Sequence, residues 1–277
     1  MRRRRRSNSK APTNGRTSRS VPSADRDGPG PLVMPSSTTP PNSQAPAGSA
    51  PLREGVQAAL EVLAAEGCVA FPSETVWGLA GSARSVAAIS ALATWKGRAD
   101  DQPISVLVSG EAALLAYGFE ISPLARTLMN LFWPGPLTLV LPCRAAFAPG
   151  IARGDGSVGV RCSSHPVAAA LVVAAESSGL GPLTATSCNA SGEPPARTEA
   201  EARVLCSSRP GGPYLLAPGD QDAGSSEPST VLDLVAVPPQ ILREGGVSVA
   251  TLRPLLETSN AKPGREFAEP HKGETPG

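Results

Sequence analysis

Leu52-Arg53-Glu54-Gly55-Val56-Gln57-Ala58-Ala59-Leu60-Glu61-Val62-Leu63-Ala64-Ala65-Glu66-Gly67-Cys68-Val69-Ala70-Phe71-Pro72 is the stretch on which the fold turns. Val56, Ala59, Leu60, Leu63 and Ala64 recur at helical spacing, so one face of a helix over 52–66 is apolar, and Gly67 stands where such a helix stops. Cys68 to Phe71 is a short apolar run closed by Pro72, which reads as a buried strand. Helix, tight turn and buried strand in immediate succession indicate a sheet with helices packed on it.

The alternation continues downstream. Ser85 to Trp95 returns to helical spacing through Ile89 and Leu92, and Ile104 to Val108 reads as a strand. A helix is expected near Pro123 to Phe132, then a breaker at Trp133-Pro134-Gly135-Pro136 and a strand over Leu137 to Leu141. Val158 to Arg161 is strand-like, Pro166 to Glu176 is helical with Pro in the first turn, and Leu183 to Thr186 is again strand-like. Val231 to Leu234 and Gln240 to Leu242 fit strands, and Val249 to Leu256 fits a last helix. Interleaved elements over a single domain predict an α/β or α+β fold.

Composition sets the limits of that domain. Residues 1–51 are rich in Pro, Ser, Thr, Asn and Gly, open on Arg2 to Arg6, and lack apolar periodicity, so they are expected to form a disordered basic tail. The domain is expected over 52–257, followed by a second polar tail over 258–277. The first tail carries nine Lys and Arg against two Asp, about +7, which leaves about −6 on the remainder of a chain whose total is +1. A nucleic-acid binder usually carries its basic surplus on the folded domain; here only the tail and a local basic cleft could supply it.

Several chemistries are disfavoured. Five cysteines, Cys68, Cys143, Cys162, Cys188 and Cys206, stand far apart without a C-x-x-C, and His165 and His271 are the only histidines. This predicts no metal site and no Ser/His/Asp hydrolase, with the thiols reduced. No apolar run reaches membrane-spanning length, and no secretory apolar segment is present. The cytoplasm is the expected compartment, with an organelle the alternative if the Arg- and Ser-rich start is a transit peptide. Neither G-x-G-x-x-G after the first strand nor a P-loop occurs.

Three polar clusters stand where apolar strands or helices end, the usual place for ligands in open sheets. Ser73-Glu74-Thr75 in Pro72 to Leu79 reads equally as a helix N-cap or as a binding turn. Lys96-Gly97-Arg98 reads as a dipole-complementing helix end, paired with Asp100 and Asp101, or as a phosphate clamp with Gly97 allowing close approach. Ser187-Cys188-Asn189 reads as an elaborate turn or as a phosphate contact. Arg161 and Arg243 end buried strands and need anionic partners, and Ser229-Thr230 adds hydroxyls at another strand mouth.

In this order, Pro72 to Leu79, Lys96-Gly97-Arg98, Trp133 to Thr138, Val160-Arg161 with His165-Pro166, Thr186 to Asn189, Ser229-Thr230-Val231 and Leu242-Arg243 resemble the YrdC family of threonylcarbamoyl-AMP synthases. The resemblance covers about Val56 to Leu255. It implies one domain with an open, twisted mixed sheet flanked by helices and a deep, locally positive cavity for ATP, L-threonine and Mg2+. It places Ser73, Arg161 and Ser229 on threonine, and Lys96, Arg98, Ser187, Asn189 and Arg243 on ATP, with Lys96 and Arg98 as the catalytic pair. The implied reaction joins threonine, bicarbonate and ATP into threonylcarbamoyl-AMP and pyrophosphate, for threonylcarbamoyladenosine in tRNA.

Departures from the family pattern are Ser73 for Thr, Trp77 for Tyr, Cys188 for Ala, and Cys162-Ser163-Ser164 before His165. Ser73 and Trp77 are expected at the amino-acid pocket, where they bear on threonine against serine. Two alternatives stay open: a carbamoyl-adenylate former of the hydrogenase-maturation type, and a double-stranded RNA or tRNA-binding module without adenylation. Downstream threonylcarbamoyl transferase proteins are the implied partners.

Overall fold

The computed structural model describes residues 49–98, 103–209, 211–219, 223–224 and 227–260. The expected tails over 1–51 and 258–277 therefore lie outside the described residues except at 49–51 and 258–260, as do Asp100 and Asp101. Seven helices are described: α1 (Ala50–Ala64), α2 (Val86–Lys96), α3 (Glu111–Ala116), α4 (Pro123–Phe132), α5 (Pro166–Ser177), α6 (Glu199–Ser207) and α7 (Val249–Asn260). Nine strands are described with them: β1 (Val69–Phe71), β2 (Gly78–Ala80), β3 (Ser105–Leu107), β4 (Leu137–Pro142), β5 (Ser157–Arg161), β6 (Leu183–Ser187), β7 (Tyr214–Leu215), β8 (Thr230–Asp233) and β9 (Gln240–Arg243).

The expected alternation holds, with ends shifted by a few residues. β2, β7, α3 and α6 are additions that sequence periodicity missed. β2 and β7 span three and two residues, too short to show a period, and β7 exists because Val69 and Ala70 offer it a parallel edge. The α6 start was readable: Thr198 and Glu201 form a reciprocal capping box.

The strands form one open mixed sheet in the order β7-β1-β2-β6-β3-β5-β4-β8-β9. Pairs β1–β7, β3–β5 and β4–β8 are parallel and the other five are antiparallel. Because side chains alternate along a strand, each strand feeds two layers. Leu137, Leu139 and Leu141 of β4, Val158 and Val160 of β5 and Leu232 of β8 enter one core with Leu92 of α2, Leu128 of α4 and Leu252 of α7. Val69 and Phe71 of β1 and Leu107 of β3 enter a second core with Leu63 of α1 and Leu171 of α5. Burying each such side chain contributes roughly 1.5–3 kcal/mol.

The alternate residues of β4, β5 and β8 have another fate. Thr138, Val140, Gly159, Arg161 and Val231 line a cavity of about 650 Å3, none of whose lining residues belongs to a helix. The cavity is the second face of the sheet where α1 and α5 no longer supply its cover. No helix among the described residues is long and apolar enough to cross a membrane.

Candidate active site

The first polar cluster folds as a turn between β1 and β2 and caps no helix. Ser73 Oγ donates to the Val76 carbonyl at 2.6 Å, and the Thr75 amide donates back to Ser73 Oγ at 3.3 Å. With its one proton committed, Ser73 Oγ accepts from Thr75 Oγ1 at 2.9 Å and from Arg161 Nη2 at 3.3 Å. Ser73 and Thr75 line the cavity; Trp77 does not. Its indole is fully buried in the core beside Leu79. The expectation that Trp77 shapes the amino-acid pocket is therefore corrected: just ahead of β2, it enters the core while its neighbours Val76 and Gly78 line the cavity.

The second cluster ends α2. Gly97 adopts φ 60°, a left-handed helix cap, and its amide donates to Thr94 while that of Arg98 donates to Ala93. Nothing lies within 4 Å of a Cβ built on Gly97. The left-handed backbone conformation by itself accounts for a glycine here. Arg98 lines the cavity, with Nη2 donating to the Pro103 carbonyl at 3.1 Å.

Lys96 is absent from the cavity lining. Its Nζ donates to Ser187 O at 2.5 Å, Asn189 O at 2.9 Å and Asn189 Oδ1 at 2.8 Å, and it is 3 % exposed. Burial pushes the ammonium down to about 8, the nearby Cys188 thiol opposing and the Arg98 charge adding to the fall. Asn189 is the hub of the third cluster: Oδ1 also accepts from Ser187 Oγ at 2.6 Å, and Nδ2 donates to the Glu193 carbonyl. Of the eight residues expected at the site, Ser73, Arg98, Arg161, Ser187, Ser229 and Arg243 line the cavity, whereas Lys96 and Asn189 stand behind it, bonded to each other.

The far wall comes from β4, β8 and β9. Ser229 Oγ lies 2.8 Å from Thr138 Oγ1. Arg243 donates through Nε and Nη2 to the Ser229 carbonyl at 3.0 and 2.8 Å, and through Nη2 to Ser229 Oγ at 3.1 Å. The Arg243 residue is exposed overall while its guanidinium is partly enclosed. That enclosure, with the Arg161 charge nearby, lowers its pKa from the ordinary value.

Two lining arginines escaped the sequence reading, Arg153 and Arg197. Arg153 pairs with Asp233 at 2.6 Å. Burial works against that carboxylate, but the Arg153 guanidinium and the Val235 and Ala236 amides together hold it below its ordinary pKa. Arg161 pairs with Glu74 at 2.9 Å. Both carboxylates stand outside the lining, so among the described residues five guanidinium-bearing side chains face a cavity whose wall contains no Asp or Glu. An arginine before a strand and one in a loop carry no sequence signal until the fold points them inward.

Such a wall attracts polyanions and supplies planar, bidentate donors for carboxylate and phosphate. Among the described residues its lining offers none of the carboxylate oxygens that a protein-held magnesium ion favours. Among the described residues, no cluster of three or more His, Cys, Asp or Glu is arranged to hold a metal.

Residues 61–245 match the Sua5_yciO_yrdC family model, described as "Telomere recombination". The chain is similar to Bacillus subtilis threonylcarbamoyl-AMP synthase, 37% identical over 65% of this chain and 50% of that protein. It is 34% identical to Thiobacillus denitrificans threonylcarbamoyl-AMP synthase over 66% of this chain and 93% of that one. Among solved structures it resembles Pyrococcus abyssi Sua5 complexed with L-threonine, with TM-score 0.64 and 30% identity over 72% of this chain and 56% of that one. The chain thus spans about half the length of some relatives and nearly all of another. With the model covering more than half of its residues and the sheet matching a solved relative, the chain belongs to the Sua5/YciO/YrdC family.

Proposed function

We propose that the chain is a threonylcarbamoyl-AMP synthase, which condenses L-threonine, bicarbonate and ATP as the first step towards threonylcarbamoyladenosine in tRNA. The observation that carries this reading is the wall of five arginines around a cavity of about 650 Å3, within the roughly 300–1,000 Å3 usual for small-molecule sites. The Thiobacillus denitrificans relative, 93% of which this chain spans, bears the same activity in its name. A cavity of small-molecule size favours adenylation over an RNA-binding module.

In the proposed reaction the threonine amine attacks bicarbonate carbon and water leaves, giving N-carboxy-threonine. A carboxylate oxygen of that carbamate then bonds to the α-phosphorus of ATP as the bond to the β-phosphate oxygen breaks and pyrophosphate departs. Ser73 and Arg161 receive the amino acid, and Ser229 adds a substrate contact. Arg98, Ser187 and Arg243 receive the nucleotide. Lys96 and Asn189 hold the Ser187 turn from behind, so Lys96 meets phosphate only by giving up one of its three acceptors. The guanidinium groups stabilise charge on the departing pyrophosphate, and rate enhancement comes from positioning and electrostatics. Mg2+ enters as part of the MgATP substrate.

The product is an activated acyl donor, consumed by a transferase that passes threonylcarbamoyl to tRNA adenosine. Five free cysteines suit a reducing compartment such as the cytoplasm. The deciding experiment measures pyrophosphate release from ATP with threonine and bicarbonate present, against each omitted and against serine in place of threonine. Release that requires both threonine and bicarbonate supports the reading; no release overturns it.

A further inference from the structure

Glu74 sits within the most prominent motif of the chain, yet the proposed chemistry gives it no part. It lies outside the cavity lining, and its side chain is 14% exposed. Oε1 lies 2.9 Å from Arg161 Nη2, and Oε2 accepts from the Ser163 hydroxyl. Ser163 Oγ in turn accepts from the His165 amide at 3.3 Å. The Gly224 amide donates to the Ser73 carbonyl at 3.1 Å and so pins the turn that carries Glu74.

The contact joins distant parts of the sheet. Glu74 follows β1 and Arg161 ends β5, four positions apart in the strand order. At about 4.8 Å per step that is roughly 19 Å across a flat sheet. Their contact therefore closes one end of the concavity with side chains. The pairing is also unsaturated: Glu74 Oε1 accepts no well-aligned hydrogen bond despite its closeness, and buried Arg161 Nε has no partner. Charge attraction holds the guanidinium on its Nη2 side, and the Nε left without a partner is itself buried.

We infer that Glu74 is a positioning residue for amino-acid recognition, holding Arg161 so that its guanidinium meets the substrate carboxylate at the cavity wall, with Ser163 locking Glu74 in place. The inference rests on the proposed function. Arg161 is 8% exposed, and a long side chain with so many rotamers presents one fork only when something fixes it. A carboxylate outside the cavity does so without competing for the ligand's place. Ser163 belongs to the Cys162-Ser163-Ser164 stretch that departs from the family pattern, so this lock is a property of the present chain.

The test is calorimetric binding of L-threonine and, separately, of ATP to the full chain and to Glu74→Ala, Glu74→Gln and Ser163→Ala, with folding checked by circular dichroism. Glu74→Ala is expected to weaken threonine binding roughly tenfold or more while ATP affinity stays within about twofold, since misplacement of a binding group acts on its own ligand. Glu74→Gln keeps the shape of the side chain but not the charge that holds Arg161, so it should recover little of the loss, and Ser163→Ala should fall between the parent and Glu74→Ala. A folded Glu74→Ala that binds threonine as tightly as the parent overturns the inference, as does an equal loss of threonine and ATP. If Glu74→Ala does not fold, unchanged threonine affinity in Ser163→Ala overturns it. A parent chain that binds no threonine overturns the proposed function and this inference together; binding by the parent with an unaltered Glu74→Ala overturns the inference alone.

Discussion

Lys96 Nζ donates to the Ser187 carbonyl at 2.5 Å, which ties the end of α2 to the end of β6 and fixes the turn that presents the Ser187 hydroxyl to the cavity. A lysine in a phosphate-like motif is thus spent inside the protein. Asn189 Oδ1 completes the tie at 2.8 Å. Function at this corner depends on the turn being held, and the lysine is the holder.

Lys96→Ala should lower turnover by on the order of a hundredfold through misplacement of the Ser187 turn. Each orphaned acceptor that stays buried should cost about 1–3 kcal/mol of stability. Steady-state kinetics with thermal denaturation checks both effects together.

The acidity of Lys96 gives a second, separable expectation. Its folded pKa, about 8, lies below the ordinary 10.5, so folding is penalised while the group is charged in both states, and this penalty fades as pH rises from 8 towards 10.5. Turnover should nevertheless fall above pH 8, because the neutral amine loses donors to Ser187 and Asn189. A pH–rate profile should show that limb, and Lys96→Arg should shift it upward.

Removing Arg161 leaves Glu74 buried without its cation. Arg161→Ala should lose threonine-dependent turnover and about 3–5 kcal/mol of stability. Arg161→Lys should regain more stability than activity, since an ammonium replaces the charge but not the planar fork. Denaturant titration beside kinetics for the two variants distinguishes these effects.

Gly245 tests the far wall. A Cβ there would stand 2.1 Å from the Pro228 carbonyl oxygen and 2.8 Å from the Ser229 carbonyl carbon. Gly245→Ala must shift backbone that carries Ser229 and receives Arg243, and overpacking of this kind costs about 1–3 kcal/mol. The expected result is a raised KM for ATP and threonine with a lowered melting temperature.

The domain limits make a further prediction. Ser49 O accepts from the amides of Leu52 and Arg53 at 3.0 and 3.1 Å, so α1 needs residues before 52. A chain of residues 49–260 should melt in one cooperative transition and retain turnover, whereas one beginning at Val56 should lose stability with its first helical turn. Calorimetric melting of both compares them.

Much of the architecture was legible because it follows from local periodicity. The apolar face of α1, Ser85 and Gly97 at the two ends of α2 and the Pro-opened α4 and α5 each carry their signal within a dozen residues. Runs of two or three residues such as β7 and β2 carry none, and they became strands only because β1 and β6 offered hydrogen-bonding edges. The capping box of α6 was present in Thr198 and Glu201, and periodicity alone passed over it.

For the site, sequence by itself determined the cast: hydroxyls at strand mouths, a surplus of arginine, few histidines, and an ordered set of motifs shared with one family. Tertiary structure alone decided which of these groups face the ligand. Lys96 is buried behind the Ser187 turn because Asn189, 93 residues later in the chain, offers it acceptors. Arg153 and Arg197 face the cavity because β5 and the loop after β6 converge on it. Trp77 lies in the core because the turn ahead of β2 sends it there, while Val76 and Gly78 line the cavity. Side-chain direction is set by partners brought together through space, and no spacing along the chain encodes them.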